Sequence, residues 1–176
     1  MALLAESVVE EWLNRRRFFT IRGVKHGVGE MDILAVRRET NGKIAAWHVE
    51  VQVSFRPVGY ICPPRSAKQR TSQEIAQCAG AWVEKKFLVE KKVKEREQFW
   101  QGLEWKFLFV HGVVRDNGEL EAIKSNNVRL MPFINILDDL HTADQKCSAF
   151  AAGDLVEILR YYQENAPIVE RMKEFV

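Results

Sequence analysis

The stretch from Gly27 to Ser54 decides the fold. It reads Gly27-Val28-Gly29-Glu30-Met31-Asp32-Ile33-Leu34-Ala35-Val36, a polar turn, and then Trp47-His48-Val49-Glu50-Val51-Gln52-Val53-Ser54. Both halves are apolar and β-rich, which predicts strands, yet Asp32, Glu50 and Gln52 stand where a buried strand would carry Val or Ile. Because strand side chains alternate between faces, Glu50 and Gln52 point the same way. A carboxylate in such a run is costly unless its charge is compensated, and a cation held by Asp32 and Glu50 would compensate it.

The turn between the two halves predicts how they pair. Glu39–Lys43 has Asn-Gly at its centre, which favours a tight turn between antiparallel strands. We therefore expect strands over Glu30–Arg38 and Ile44–Ser54, with Asp32 brought opposite Glu50. Both runs are apolar on both faces, as in a central sheet covered by helices. The alternative is a surface hairpin that directs its polar side chains outward.

The rest of the chain predicts helices and further strands around this hairpin. Amphipathic spacing predicts helices over four ranges: Leu3–Arg17, Thr71–Val89, Lys85–Phe99 and Ala152–Asn165. Strands are predicted over Phe18–Gly23, Trp105–Arg115 and Val128–Ile136, with Leu120–Ile123 pairing back. The charged run Glu84–Gln98 is predicted to be a solvated helix face. Together these elements predict one α/β domain spanning residues 1–176.

Composition excludes several classes of protein. The chain has 176 residues, of which 47% are hydrophobic and 28% charged, as in an ordinary soluble globular protein. It has no apolar run long enough to span a membrane, and its first residues lack the basic stretch of a secretory signal. The three cysteines are widely spaced and form no CxxC motif. They predict reduced thiols in a cytoplasmic protein, without a disulfide framework or a zinc site.

Charge is unevenly distributed along the chain. Between Asn14 and Arg70 there are twelve Lys and Arg residues against four Asp and Glu, whereas from Asp116 onward there are six against eleven. The basic half contains Asp32 and Glu50, so its field would attract a polyanion to that site. A basic face that is merely solvated is the alternative.

An ordered set of polar residues runs through this half of the chain. Glu6 lies on the first predicted helix, Asp32 on one strand and Glu50-Val51-Gln52 on the next. This set resembles the PD-(D/E)xK nuclease superfamily, whose members carry a Glu on an N-terminal helix, an Asp at the hairpin and (D/E)-x-K on the following strand. The resemblance extends from Leu3 to about Phe87. It implies a restriction-endonuclease-like α/β fold, with a mixed central β-sheet flanked by α-helices.

The resemblance also implies an activity and its ligands. The activity is phosphodiester hydrolysis, with DNA as the expected substrate and RNA as an alternative that shares the same chemistry. Asp32, Glu50 and the backbone carbonyl of Val51 would hold one Mg²⁺ or Mn²⁺, ions that prefer oxygen ligands. A water on that metal would attack the phosphorus. Glu6 could bind a second metal through water.

Gln52 departs from the family pattern, because lysine is usual at that position. An amide can orient a water by hydrogen bonding, but it supplies neither a proton nor a positive charge at neutral pH. His48, Lys68 and Arg70 are the candidates for the missing proton or charge. Some restriction enzymes of this superfamily have Gln there and still cleave, so we expect activity. The alternative is a catalytically inactive module that binds nucleic acid or serves in an assembly.

Basic and polar side chains around the site predict how nucleic acid would be held. Phe55–Arg70 is predicted to be a loop beside the site that grips the substrate. The predicted nucleic-acid contacts are Lys25, His26, His48, Arg56, Arg65, Lys68, Arg70 and Gln73. A homodimer would allow two strands to be cut, by analogy with other enzymes of this kind.

Overall fold

The computed structural model describes residues 2–26, 29–61 and 70–142. The elements, in chain order, are α1 (Ala2–Arg15), β1 (Phe19–His26), β2 (Gly29–Arg38), β3 (Ile44–Gln52), α2 (Ser72–Val83), a π-helix (Glu84–Leu88), α3 (Glu90–Phe99), β4 (Trp105–His111), α4 (Asn117–Lys124), β5 (Val128–Pro132) and α5 (Phe133–Thr142). The predicted helix Ala152–Asn165 lies outside the described residues. Across the described ranges, every helix is too short or too polar to cross a membrane.

The five strands form one mixed sheet in the order β1-β2-β3-β4-β5. Strands β1, β2 and β3 are antiparallel neighbours, whereas β3, β4 and β5 run parallel. The ladder between β2 and β3 ends where Ile33 pairs with Val49, which brings Asp32 and Glu50 to the point where the two strands separate. Strand β3 is therefore the central strand, and it presents Glu50 from the middle of the sheet.

Helices cover both faces of the sheet. On one face, Leu13 of α1 and Ile136 of α5 pack against Val49 of β3 in one apolar cluster. On the other face, Trp82 of α2 and Phe87 of the π-helix belong to a second cluster, which also includes side chains of β4 and α4. This arrangement confirms the predicted α/β class, a mixed central sheet flanked by helices.

The predicted hairpin turn is confirmed. Gly42, in the predicted Asn-Gly turn, has a φ of +82°, a left-handed conformation that suits glycine. The hairpin is closed by a hydrogen bond from the Glu39 backbone N–H to the Lys43 carbonyl at 2.8 Å. Thr71 caps the N-terminus of α2, and its hydroxyl and the Glu74 carboxylate form a reciprocal capping box.

Two predictions for the second half of the chain are wrong. Residues Leu120–Ile123, predicted as a strand, lie in α4, because Asp116 caps that helix by accepting the Gly118 N–H at 2.8 Å. Residues Val128–Ile136, predicted as one strand, divide at Pro132, where β5 ends and α5 begins. A proline has no N–H to extend the ladder, and the helical spacing of the apolar residues after it then buries one face of α5.

Candidate active site

Asp32 lies where β2 separates from β3. Its Oδ2 accepts a hydrogen bond from the Val51 backbone N–H at 2.7 Å, just past the last pair of the ladder. The Asp32 carboxylate thus takes the place of the next main-chain hydrogen bond between β2 and β3. Burial, followed by the negative charge of Glu50, raises the pKa of Asp32 to about 7. The protein around Asp32 therefore supplies too little positive charge to stabilise its ionised form.

Glu50 has the opposite environment, although it is only 1% exposed. Its Oε1 accepts hydrogen bonds from Lys92 Nζ at 2.6 Å and from His48 Nε2 at 3.1 Å, and its Oε2 accepts one from Lys86 Nζ at 2.8 Å. Burial alone would raise the pKa of Glu50, but the His48 hydrogen bond and the charge of Lys86 bring it down to about 2. Glu50 is therefore ionised at neutral pH.

Neither lysine that bonds to Glu50 could be identified from the sequence. Lys86 lies in the π-helix and Lys92 in α3, within the run Glu84–Gln98 that was expected to be solvated. The side chain of Lys92 is only 5% exposed and that of Lys86 is 30% exposed. The one local signal was Phe87, an aromatic residue inside a highly charged run, which marks the face that packs on the sheet.

His48 is completely buried beneath these lysines, on the same face of β3 as Glu50. Burial lowers the pKa of His48 to about 4, so its imidazole is neutral at physiological pH. The ring also packs edge-on against Phe87, with centroids 4.9 Å apart. In this arrangement His48 holds Glu50, and it is in no position to contact nucleic acid or supply a positive charge.

Glu6 and Gln52 complete the set of predicted catalytic residues. Glu6, on α1, is 8% exposed, and burial followed by the charge of Glu30 raises its pKa. The charge of Glu6 in turn makes a small contribution to the raised pKa of Asp32. Gln52 is exposed at the end of β3, opposite His111 of β4. The fold thus brings Glu6, Asp32 and Glu50 into one electrostatic environment, with Gln52 at its open end.

The predicted nucleic-acid contacts are dispersed over several elements. Lys25, Arg56 and Gln73 are exposed on β1, on the segment after β3 and on α2 respectively. Arg70 lies 3.7 Å from Glu119, a buried residue of α4 whose Oε2 also accepts the Tyr60 N–H at 2.7 Å. His26 ends β1, and the predicted contacts Arg65 and Lys68 lie outside the described residues.

The donor set fits a hard divalent cation. Among the residues that the structure describes, no three His, Cys, Asp or Glu side chains form a group that could hold a metal ion. Magnesium, however, is commonly held by one or two carboxylates, with water and substrate phosphate as the other ligands. Asp32 and Glu50 offer two such carboxylates, and a cation between them would relieve the repulsion that raises the pKa of Asp32.

Comparisons with known proteins add little to this description. No protein-family model matches the chain, and the search of curated proteins gives no match. Among solved structures, the chain is similar to the crystal structure of a protein of unknown function, AF1548, with 14% identity and a TM-score of 0.48. The similarity covers 76% of this chain and 59% of that one, so this chain spans less than two thirds of its neighbour's length.

Proposed function

We propose that this protein is a cytoplasmic nuclease that hydrolyses phosphodiester bonds of DNA with Mg²⁺ or Mn²⁺. One observation carries the proposal: Asp32 and Glu50 meet where two strands separate, and Lys86 bonds to Glu50 Oε2 at 2.8 Å. Two carboxylates for a cation and one nearby ammonium group are what metal-dependent attack on a phosphodiester requires. The resemblance of Glu6, Asp32 and Glu50-Val51-Gln52 to the PD-(D/E)xK pattern supports the same function.

Each residue of the site then has a role. Asp32, Glu50 and the Val51 carbonyl would hold the cation, which when bound acidifies a water and stabilises the charge of the transition state. Lys86 supplies the positive charge that Gln52 lacks, and because its side chain is 30% exposed it is accessible to a phosphate group. Gln52 orients the attacking water by hydrogen bonding. Glu6 would bind a second cation through water.

Exposed basic residues near the site would bind the phosphate backbone. Lys25 and Arg56 are exposed and belong to the segments that flank β2 and β3. Contacts of this kind hold a nucleic acid without reading its sequence, and they weaken as salt increases. A homodimer would place two such sites on one duplex.

A cleavage assay tests this function. The substrates are supercoiled plasmid, single-stranded DNA and structured RNA, each incubated with Mg²⁺, Mn²⁺ or EDTA. We expect metal-dependent cutting of DNA by the wild type and at least about 100-fold less by Asp32→Asn, which removes a charge without changing the shape of the side chain. Equal cutting by this variant would disprove the site assignment, and cutting of RNA alone would redirect the proposal to an RNA nuclease.

A catalytically inactive nucleic-acid-binding module is the second candidate. It is favoured by the two oxygens of Glu50, both of which are already hydrogen-bonded to lysines in the structure. Such a module would bind DNA equally well with EDTA and with Mg²⁺, and would show no cutting with any metal. A gel-shift titration run beside the cleavage assay separates the two candidates.

A further inference from the structure

The two oxygens of Glu50 differ in how firmly they are held. Oε1 accepts two hydrogen bonds, from Lys92 Nζ and His48 Nε2, at 2.6 and 3.1 Å. Oε2 accepts one, from Lys86 Nζ at 2.8 Å. The Lys92 side chain is 5% exposed, whereas that of Lys86 is 30% exposed. One carboxylate thus has a buried side and a side near solvent.

The donors on the buried side are each anchored a second time. Lys92 Nζ also donates to the Lys86 carbonyl at 2.7 Å, and Arg96 Nη1 donates to the Phe87 carbonyl at 2.7 Å and approaches His48 Nδ1 at 2.9 Å. Carbonyls at the end of a helix need such partners when they are buried. Lys92 and Arg96 therefore cap the π-helix, and the same side chains hold Glu50 Oε1, Lys92 directly and Arg96 through His48.

The donor on the solvent side has no second anchor among the described residues. Lys86 Nζ bonds to Glu50 Oε2, and its ammonium group sits on a flexible four-carbon stem. Burial alone would lower the pKa of Lys86, but the charge of Glu50 and its hydrogen bond, followed by the charge of Asp32, raise it. Lys86 thus occupies the Glu50 oxygen that a cation shared by Asp32 and Glu50 would have to bind.

We infer that Lys86 is an exchangeable counter-ion: its ammonium leaves Glu50 Oε2 when a divalent cation binds, while Lys92, His48 and Arg96 keep Oε1 fixed as positioning residues. The released ammonium becomes available to a phosphate group at the moment the cation is in place. This inference rests on the proposed function in one respect, which is the identity of the divalent cation. It requires no cleavage, so the two ideas can be tested apart.

Lysine acylation of the wild-type protein tests the exchange. The folded protein is treated with limiting acetic anhydride, with and without saturating Mg²⁺ and with no nucleic acid, and each lysine is quantified by mass spectrometry. Lys85, exposed in the same π-helix, is the internal reference. We expect Mg²⁺ to increase the acylation of Lys86 several-fold relative to Lys85, and to leave Lys92 unmodified. Asp32→Asn is the matched control and should abolish the response.

Each outcome decides a different idea. If calorimetry shows that Mg²⁺ binds but the acylation of Lys86 does not change, the exchange is overturned and the nuclease proposal stands. Increased modification of Lys92 would overturn its positioning role. Increased acylation of Lys86 with Mg²⁺, together with no cleavage of any substrate, would support the exchange and contradict the proposed nuclease activity. The absence of any Mg²⁺ binding would overturn both.

Discussion

The guanidinium of Arg96 lies 2.9 Å from Nδ1 of His48, and this contact fixes which imidazole nitrogen carries the proton. A guanidinium can only donate, so Nδ1 must accept and the proton of the neutral ring resides on Nε2. Nε2 is the nitrogen that faces Glu50 Oε1, 3.1 Å away. A chain of buried hydrogen bonds thus runs from Arg96 of α3 through His48 to Glu50, and it sets the orientation of that carboxylate.

A lysine introduced on the strand, in place of Gln52, tests whether Lys86 supplies the positive charge of the proposed site. Lys86→Met should reduce cleavage about 100-fold, because it removes a positive charge that stabilises the transition state. Adding Gln52→Lys to that variant should restore part of the activity, since Gln52 lies on the same strand face as Glu50. The measurement is single-turnover cleavage of the preferred substrate with saturating Mg²⁺.

The neighbouring residue provides the control for this swap. Lys85→Met removes an equally charged side chain from the same π-helix, where Lys85 is exposed to solvent. It should leave the cleavage rate near that of the wild type. Equal losses in the Lys85 and Lys86 variants would show that general charge, rather than the contact with Glu50, supports the activity. Loss of all activity in Gln52→Lys alone would show that the amide itself is needed.

The raised pKa of Asp32 predicts how stability depends on pH. Between pH 3.8 and about 7 the unfolded chain has released the Asp32 proton while the folded protein still holds it. The contribution of Asp32 to the free energy of unfolding therefore falls as pH rises through this window, by an amount on the order of 4 kcal/mol. We expect Asp32→Asn to be more stable than the wild type at about pH 8 and similar to it near pH 4.

Thermal unfolding of both proteins across this range measures the effect. His48 titrates with the opposite slope, because its pKa falls from 6.5 to about 4 on folding and stability is lost as pH falls through that window. Both proteins share His48, so the difference between their melting temperatures isolates Asp32. Added Mg²⁺ should raise the melting temperature of the wild type at high pH and have little effect on the variant. A difference that is independent of pH would contradict the raised pKa.

The juxtaposition of Asp32 and Glu50 could be predicted from sequence, because it depends on short-range rules. The Asn-Gly turn fixes the hairpin, and the two-residue period of a strand then sets which side chains face each other. The ladder places Ile33 opposite Val49, within one residue of the predicted carboxylate pair. The class of fold followed from the same pattern of alternating and amphipathic segments.

The lysines could not be predicted, because their approach depends on packing between distant segments. Lys86 and Lys92 lie 36 and 42 residues from Glu50 in sequence. Val89 adopts an extended conformation, with φ −50° and ψ 131°, and so separates the π-helix from α3 and sets a new direction for the chain. Charged residues at such positions normally face solvent, so no apolar periodicity marks Lys92 and Arg96 as buried.

Gly112 provides a test of how the end of β3 is held beside β4. A Cβ at this position would meet the Ser54 carbonyl oxygen at 2.1 Å and the Ser54 nitrogen at 2.6 Å, both of which are backbone atoms. Gly112→Ala should therefore reduce the free energy of unfolding by about 3 kcal/mol, the upper end of the usual range for overpacking. Gly80→Ala in α2 is the control, because a Cβ there meets nothing within 4 Å. It should be stabilising by up to about 1 kcal/mol in urea unfolding, as expected for a helix interior.

Two lysines of α3 form ion pairs with the same N–O separation, and these pairs allow burial to be tested separately from distance. Lys92 Nζ lies 2.6 Å from Glu50 Oε1 with side chains 5% and 1% exposed, and Lys94 Nζ lies 2.6 Å from Glu90 Oε1 with side chains 68% and 80% exposed. Lys92→Met removes one of the two lysines that bond to the buried Glu50 carboxylate, and it leaves a π-helix carbonyl without its cap. It should therefore lower the free energy of unfolding by about 3 kcal/mol or more. Lys94→Met should lower the free energy of unfolding by about 0.5 kcal/mol or less, because exposed pairs are screened by water.

Double-mutant cycles with Glu50→Gln and Glu90→Gln, followed by urea unfolding, give the coupling energy of each pair. The buried pair should show a coupling several times larger than the exposed pair. Glu50→Gln by itself should destabilise the fold, because it leaves Lys92 buried beside a neutral amide, and for this reason Asp32→Asn is the cleaner variant for activity measurements. Similar coupling in the two cycles would mean that Lys92 contributes only as a surface charge does, and the fixed orientation of Glu50 would need another cause.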